Sequence, residues 1–101
     1  MRKGDIATLT MKKPICVGDL LDVCVYSSVV LQYDEKGEYI YFKLESGKIT
    51  ELSLDAIYEC TIHTEKDQSI CTGRIKERYC GAAGKIFKFE IENGFYKINL
   101  N

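Results

Sequence analysis

The sequence contains no tryptophan, one proline and one histidine. It also lacks any apolar run near the ~18 residues that a membrane-spanning helix needs. Its first ten residues, MRKGDIATLT, include no apolar block of the kind that defines a secretory signal peptide. These absences argue against a helical membrane protein and against a secreted precursor, and we therefore expect a cytoplasmic protein.

The cysteines follow neither a disulfide nor a metal-binding pattern. They are odd in number and form no C-x-x-C pair: Cys16, Cys24, Cys60, Cys71 and Cys80. By strand alternation His63 falls on the face opposite Cys60, and no spacing places it beside a cysteine as a catalytic base. We expect reduced cysteines that pack as small apolar residues, with no metal, no cofactor and no enzymatic activity.

The length and the net charge of the chain reduce further the classes of protein to which it could belong. The 101 residues carry 14 Lys and Arg against 15 Asp and Glu, a net charge of -1. This length is typical of one domain, and the near-neutral charge disfavours a protein held to nucleic acid mainly by phosphate contacts. Cations concentrate at the start of the chain, at Arg2, Lys3, Lys12 and Lys13. We expect residues 1–13 to form a basic arm and residues 14–101 to form the single domain.

Short runs rich in Val, Ile, Tyr, Phe and Thr recur about every ten residues, each followed by turn-forming residues. The Asn93-Gly94 pair is the strongest hairpin signal, because a type I′ turn needs positive φ at both central residues. No stretch keeps the apolar spacing of a helix. The sequence predicts an all-β, six-stranded antiparallel barrel, with strands at about 20–33 (one long strand bent at Ser27-Ser28, or two short ones), 38–44, 57–64, 69–79, 85–92 and 95–100.

Alternation within these strands assigns side chains to the two faces of the barrel wall, because side chains repeat every two residues. The residues expected to face the core include Ile40, Phe42, Leu44, Cys71, Gly73, Ile75, Phe87, Phe89, Ile91, Tyr96, Ile98 and Leu100. Tyr39 and Tyr41 are expected on the outside. Arg74, Lys76 and Arg78 are expected to form one outward row, opposite Lys88, Glu90 or Glu92 of the next strand.

Several segments of the chain resemble the PilZN domain, the barrel that precedes the PilZ domain in YcgR-like flagellar-brake proteins. The first is the Gly-Asp turn and strand at 17–25, which is followed by a strand with exposed aromatic residues. The others are the strand entry at 54–62 and the segments 69–78 and 85–91, so the likeness covers roughly residues 14–100. It implies a six-stranded split barrel that packs on a PilZ domain, in cis or in trans, or on a motility or signalling protein.

The resemblance also raises the question of cyclic di-GMP, which PilZ domains bind through R-x-x-x-R and D-x-S-x-x-G segments. Residues 74–78 fit the first pattern, and residues 67–73 nearly fit the second. Their order is reversed, the glycine is one residue late, and the two segments are contiguous. We therefore expect a solvated, charged strand face rather than a nucleotide site.

These observations favour a non-catalytic regulatory or protein-interaction module without its own nucleotide site. Its expected interaction surface comprises Tyr39, Tyr41, Arg74, Lys76 and Arg78. The alternative is a small nucleic-acid-binding barrel, similar to an oligonucleotide-binding fold, that uses Tyr39, Tyr41, Arg74 and Arg78. A flavin-binding split barrel is a third possibility, for which the basic residues form no evident phosphate site.

Overall fold

The structure, a computed structural model, describes residues 1–16 and 18–98, with the backbone alone described for residues 96–98. Its strands are β1 (Ile6–Pro14), β2 (Val25–Asp34), β3 (Tyr39–Leu44), β4 (Ala56–His63), β5 (Gln68–Gly81) and β6 (Gly84–Ile98). A 3-10 turn, Ile49–Glu51, lies between β3 and β4. All neighbouring strands are antiparallel and close into a barrel in the order β1-β2-β3-β6-β5-β4. The predicted all-β, six-stranded antiparallel barrel is therefore confirmed.

The segment expected to be a basic arm instead supplies β1, which pairs with β2 on one side and with β4 on the other. Ala7 and Leu9 face the core and are fully buried, while Thr8 and Thr10 lie on the other face. Because one face of this alternating strand is apolar, that face must be buried. This requirement outweighs the charges at the ends of the segment. Residues 6–14 are therefore a strand of the barrel rather than part of a separate arm.

The predicted strands 85–92 and 95–100 belong to one strand in the structure as far as Ile98, the last residue that the structure describes. Asn93 and Gly94 lie inside β6, which pairs with β5 from Gly81↔Gly84 to Gln68↔Ile98. The extra residues near Asn93 are absorbed by register shifts between the two strands, so no turn forms there. The chain reverses between β5 and β6 at Ala82 and Ala83, in the loop expected between the predicted strands 69–79 and 85–92. The expectation that Tyr96, Ile98 and Leu100 face the core lies outside the described side chains.

The predicted strand 20–33 begins later than expected. β2 starts at Val25, and Ser27 and Ser28 lie within it rather than at a bend. Residues Leu20 and Val23 precede the strand and are largely exposed to solvent. An apolar run alone therefore misled the assignment, because these residues never enter the barrel.

The core fills the barrel with large side chains from all six strands and from the segment after the 3-10 turn. As expected, Phe42, Phe87 and Phe89 point inward and are fully buried, with Phe42 stacked on Phe87 at 5.2 Å between ring centroids. Each fully buried side chain of this size contributes roughly 1.5–3 kcal/mol of transfer free energy. The interior is a packed core, which leaves function to the outer surface.

Candidate interaction surface

The register of β3, β6 and β5 builds one continuous outer face, here called the tyrosine face. Three rows run across it: Tyr39, Glu90 and Arg74; Tyr41, Lys88 and Glu77; and Lys43, Ile86 and Tyr79. Each row consists of direct cross-strand neighbours, whose side chains stand side by side on the same face of an antiparallel sheet. The sequence-predicted residues Tyr39, Tyr41 and Arg74 are thus brought together.

Tyr39 and Tyr41 form a fixed aromatic pair. Their ring centroids are 5.5 Å apart at an interplanar angle of 84°, an edge-to-face contact. The Lys88 ammonium nitrogen lies 4.3 Å from the Tyr39 centroid and 6.0 Å from that of Tyr41. The pair therefore presents its rings with a cation already placed against them.

The turn between β2 and β3 holds Tyr39 in position. The Asp34 carboxylate accepts a hydrogen bond from the Gly37 amide at 2.9 Å. The same carboxylate is hydrogen-bonded by the Tyr39 hydroxyl, and this raises the pKa of Tyr39. The bond from Gly37, followed by that from Tyr39, lowers the pKa of Asp34. A Cβ atom on Gly37 would lie 2.5 Å from the Tyr39 ring, so glycine is needed here for packing, while the positive φ of the turn falls on Glu38.

The expected basic row is broken by a bulge at Lys76. Arg74 lies opposite Glu90, but the register shifts between Ile75 and Glu77, so that Arg78 lies opposite the buried Phe87. Arg78 consequently points to the end of the barrel, where its guanidinium donates to the Thr50 carbonyl at 3.2 Å and to the Leu52 carbonyl. The prediction of one outward row of Arg74, Lys76 and Arg78 is wrong, because an extra residue in one strand reverses the alternation after it.

Arg74 is the basic member that remains on the tyrosine face. Its side chain is half-buried, and its Nε atom is buried without a hydrogen-bond partner. Glu90 is its cross-strand neighbour on β6, as the sequence predicted.

Sequence reasoning missed Tyr79, which the bulge turns onto the tyrosine face. Ile86, its cross-strand partner, is buried although it points away from the core, because other side chains cover it from outside. The tip of the β5–β6 hairpin borders a groove of about 640 Å³ there, lined by Lys3, Leu31, Gln32, Tyr41, Tyr79, Gly81, Ala82, Ala83 and Ile86. Tyr79 could have been assigned to this face only if the position of the bulge had been known, and alternation in the sequence does not reveal that position.

The histidine and the cysteines are placed apart. His63 Nδ1 lies 3.0 Å from Gln68 Nε2, its cross-strand neighbour on β5. Cys60 and Cys71 are cross-strand neighbours in the core, and Cys16, Cys24 and Cys80 are exposed. Among residues 1–16 and 18–98, no three His, Cys, Asp or Glu side chains are grouped so that they could hold a metal ion. The same residues include no helix long and apolar enough to cross a bilayer.

Comparison of the chain with protein-family models, with curated proteins and with solved structures gave no match in any of the three. The surface must therefore be interpreted from its own geometry. That geometry is an aromatic, mixed-charge sheet face bordered by a groove.

Proposed function

We propose that this chain is a non-catalytic protein-interaction module, similar to the PilZN barrel of flagellar-brake proteins, that binds a PilZ domain or another motility or signalling protein through the tyrosine face. The proposed setting is the cytoplasm. All five cysteines are free thiols, which suits a reducing compartment.

The observation that carries the proposal is the grouping of Tyr39, Tyr41 and Tyr79 on one face of one sheet. Tyrosine is enriched at interface hot spots, because it contributes a large contact area while losing little side-chain entropy. Tyr39 is held by Asp34 and by its edge-to-face contact with Tyr41 before any partner arrives. A prearranged aromatic surface of this kind loses less conformational entropy on binding.

The arrangement of the arginines supports a module without its own cyclic di-GMP site. Arg74 lies on the tyrosine face, whereas Arg78 is turned to the barrel end and donates to main-chain carbonyls. A guanidinium on the tyrosine face and another bonded to carbonyls at the barrel end are unable to grip the phosphates of one small nucleotide together.

The alternative of nucleic-acid binding receives less support from the same surface. Tyr39, Tyr41 and Lys88 do resemble a stacking platform with a cation, but Glu77 and Glu90 lie in the same rows. Single-stranded nucleic acid requires a positively charged groove along its backbone, and these carboxylates interrupt one. Arg78, one of the four residues of that alternative, is also absent from this face.

The test is isothermal titration calorimetry of the chain with a purified PilZ domain of a flagellar-brake protein. Replacement of Tyr39 and Tyr41 by serine should weaken binding by tenfold or more, whereas the melting temperature should change little. Ile6→Ser, which removes an exposed apolar side chain from β1, is the matched control and should bind normally. Equal loss of affinity in both variants would contradict the proposal.

Two further titrations separate the alternatives. Micromolar binding of cyclic di-GMP to the chain would contradict the absence of a nucleotide site. Salt-dependent binding of a single-stranded oligonucleotide, lost on Tyr39→Ser/Tyr41→Ser, would replace the proposal with the nucleic-acid alternative.

A further inference from the structure

A second surface lies at the loop between β1 and β2, here called the apolar loop (residues 18–24). Its large apolar side chains point into solvent: Leu20 is 90% exposed, Leu21 51% and Val23 83%. The next residue, Val25, is also exposed although it begins a strand. Single exposed apolar residues are common, but a contiguous group of them marks an interaction site.

The apolar loop is held in this conformation by polar contacts with the barrel. The Asp22 amide donates to the Met11 sulfur at 3.4 Å, and the Asp22 carboxylate accepts the Cys24 amide at 3.0 Å. The same carboxylate accepts a hydrogen bond from the hydroxyl of Tyr26, whose ring is buried in the core. Leu20 and Val23 are therefore presented on a fixed backbone, which lowers the entropic cost of binding a partner.

The two chain segments at the apolar loop carry charge of one sign, although the cation Arg78 of β5 also reaches this end of the barrel. Residues 14–25 and 49–55 contain four acidic residues and no Lys or Arg: Asp19, Asp22, Glu51 and Asp55. Three of these acids line a groove of about 590 Å³ together with Met11, Pro14, Gly18, Leu20 and Ser53. Arg78, which reaches the 3-10 turn, donates to the carbonyls of Thr50 and Leu52. The groove is therefore apolar and acidic at once.

We propose that the apolar loop and this groove bind a segment of another protein in which Lys or Arg residues alternate with large apolar ones. Apolar contacts would provide the affinity, and the charges of Asp19 and Glu51 would select a cationic segment and orient it. This site is separate from the tyrosine face and does not depend on the function proposed for that face.

The charges favour this occupant over two others. In a symmetric pair of chains the same patch meets itself, so the acidic residues Asp19, Asp22 and Glu51 of one chain would lie against the acidic patch of the other. A bilayer containing anionic lipid would repel the same carboxylates, although Leu20 and Val23 would suit its apolar interior. A cationic apolar segment satisfies both features of the surface.

The test uses the full chain and three synthetic 14-residue peptides: an amphipathic Leu/Lys peptide, a Leu/Glu peptide of the same pattern and a Ser/Lys peptide. Calorimetry should show binding of the Leu/Lys peptide alone.

Leu20→Ser/Val23→Ser should weaken binding of the Leu/Lys peptide by about tenfold or more, since two large apolar contacts are lost. Asp19→Asn/Glu51→Gln should weaken it several-fold and reduce its salt dependence. Ile6→Ser and Tyr39→Ser/Tyr41→Ser are controls that should bind normally.

Any of these results would overturn the proposal: equal binding of the Leu/Lys and Leu/Glu peptides, no binding of either, equal loss in the Ile6→Ser control, or binding of anionic vesicles that Leu20→Ser/Val23→Ser abolishes. Dimerisation in sedimentation experiments that the same variant removes would also overturn it. Amide shifts mapped by NMR on the unmodified chain keep the proposal testable even if a variant fails to fold, because they should change in residues 18–24 and 49–55.

Discussion

Arg78 joins the end of β5 to the segment that closes the barrel below it, through hydrogen bonds from its guanidinium to the carbonyls of Thr50 and Leu52. Leu52 itself is fully buried, so its carbonyl has little access to water. The bulge at Lys76 makes this contact possible, because it turns Arg78 towards the barrel end. The contact is structural, and it removes Arg78 from any outer binding row.

We expect Arg78→Ala to lower the free energy of unfolding by about 1–3 kcal/mol, because it leaves a buried carbonyl without its charged donor. Lys76→Ala, two residues away in the exposed bulge, is the control and should change stability by less than about 0.5 kcal/mol. Urea denaturation followed by tyrosine fluorescence measures both. Equal, small effects would mean that the guanidinium contact contributes nothing to the fold.

The Asp22–Tyr26 hydrogen bond should make stability depend on acid pH. The bonds from the Tyr26 hydroxyl and the Cys24 amide hold the pKa of Asp22 below its ordinary value of 3.8. A carboxyl group with a lowered folded-state pKa stabilises the fold above its unfolded pKa, and this stabilisation is lost as pH falls through the folded pKa.

We therefore expect Tyr26→Phe to cost about 1 kcal/mol at neutral pH, a value limited by the partial exposure of Asp22. The difference from the unmodified chain should stay constant down to about pH 5 and shrink below 3.8, where the carboxyl becomes protonated in the unfolded chain and then in the folded one. Unfolding curves at a series of pH values test this. A difference that persists undiminished at pH 2 would contradict the role of the ionised carboxylate.

Replacement by alanine should destabilise the protein strongly at Gly73 and hardly at all at Gly94. A Cβ atom on Gly73 would lie 2.0 Å from the main-chain oxygen of Glu90, so Gly73→Ala must push β5 and β6 apart. We expect a loss of about 3 kcal/mol or more, or failure to fold. A Cβ atom on Gly94 meets nothing within 4 Å, and Gly94→Ala should change the melting temperature little. A severe effect at Gly94 would instead indicate the hairpin turn that the sequence suggested.

Thiol labelling should divide the five cysteines into two classes. Cys16, Cys24 and Cys80 are exposed and should react with a thiol reagent in the native protein. Cys60 and Cys71 are buried, and a hydrogen bond to Cys71 together with burial raises the pKa of Cys60 well above its usual 9.0. We expect three thiols to react before denaturation and five after it. Rapid reaction of all five would mean that β4 and β5 separate readily in the native state.

The inward faces of the strands could be predicted from the sequence. Two-residue alternation identified Phe42, Phe87 and Phe89 as core residues, and all three are fully buried. It succeeds wherever one face of a regular strand is buried, because a slip of one residue would expose the whole apolar set. The tyrosine pair on β3 was found for the same reason.

The irregular features could not be predicted in this way. The bulge at Lys76 separates Arg78 from Arg74, and nothing in the local sequence marks it. The hairpin-turn signal of Asn93-Gly94 is local, and the long pairing of β5 with β6 prevents the turn from forming. At the N-terminus the four cations led to the prediction of a basic arm, although Ala7 and Leu9 alternate with polar residues as in a strand and are buried. In each case tertiary pairing outweighed a local pattern.

The position of β1 between β2 and β4 has a consequence for synthesis on the ribosome. β1 leaves the exit tunnel before β4, so its second neighbour is completed only when His63 has emerged. Until then the nascent chain holds an unpaired edge whose apolar side, with Ala7 and Leu9, is open to other molecules. The ring itself closes later still, when β6 pairs with both β3 and β5, and the interval before these pairings form is when a chaperone would have the most to protect.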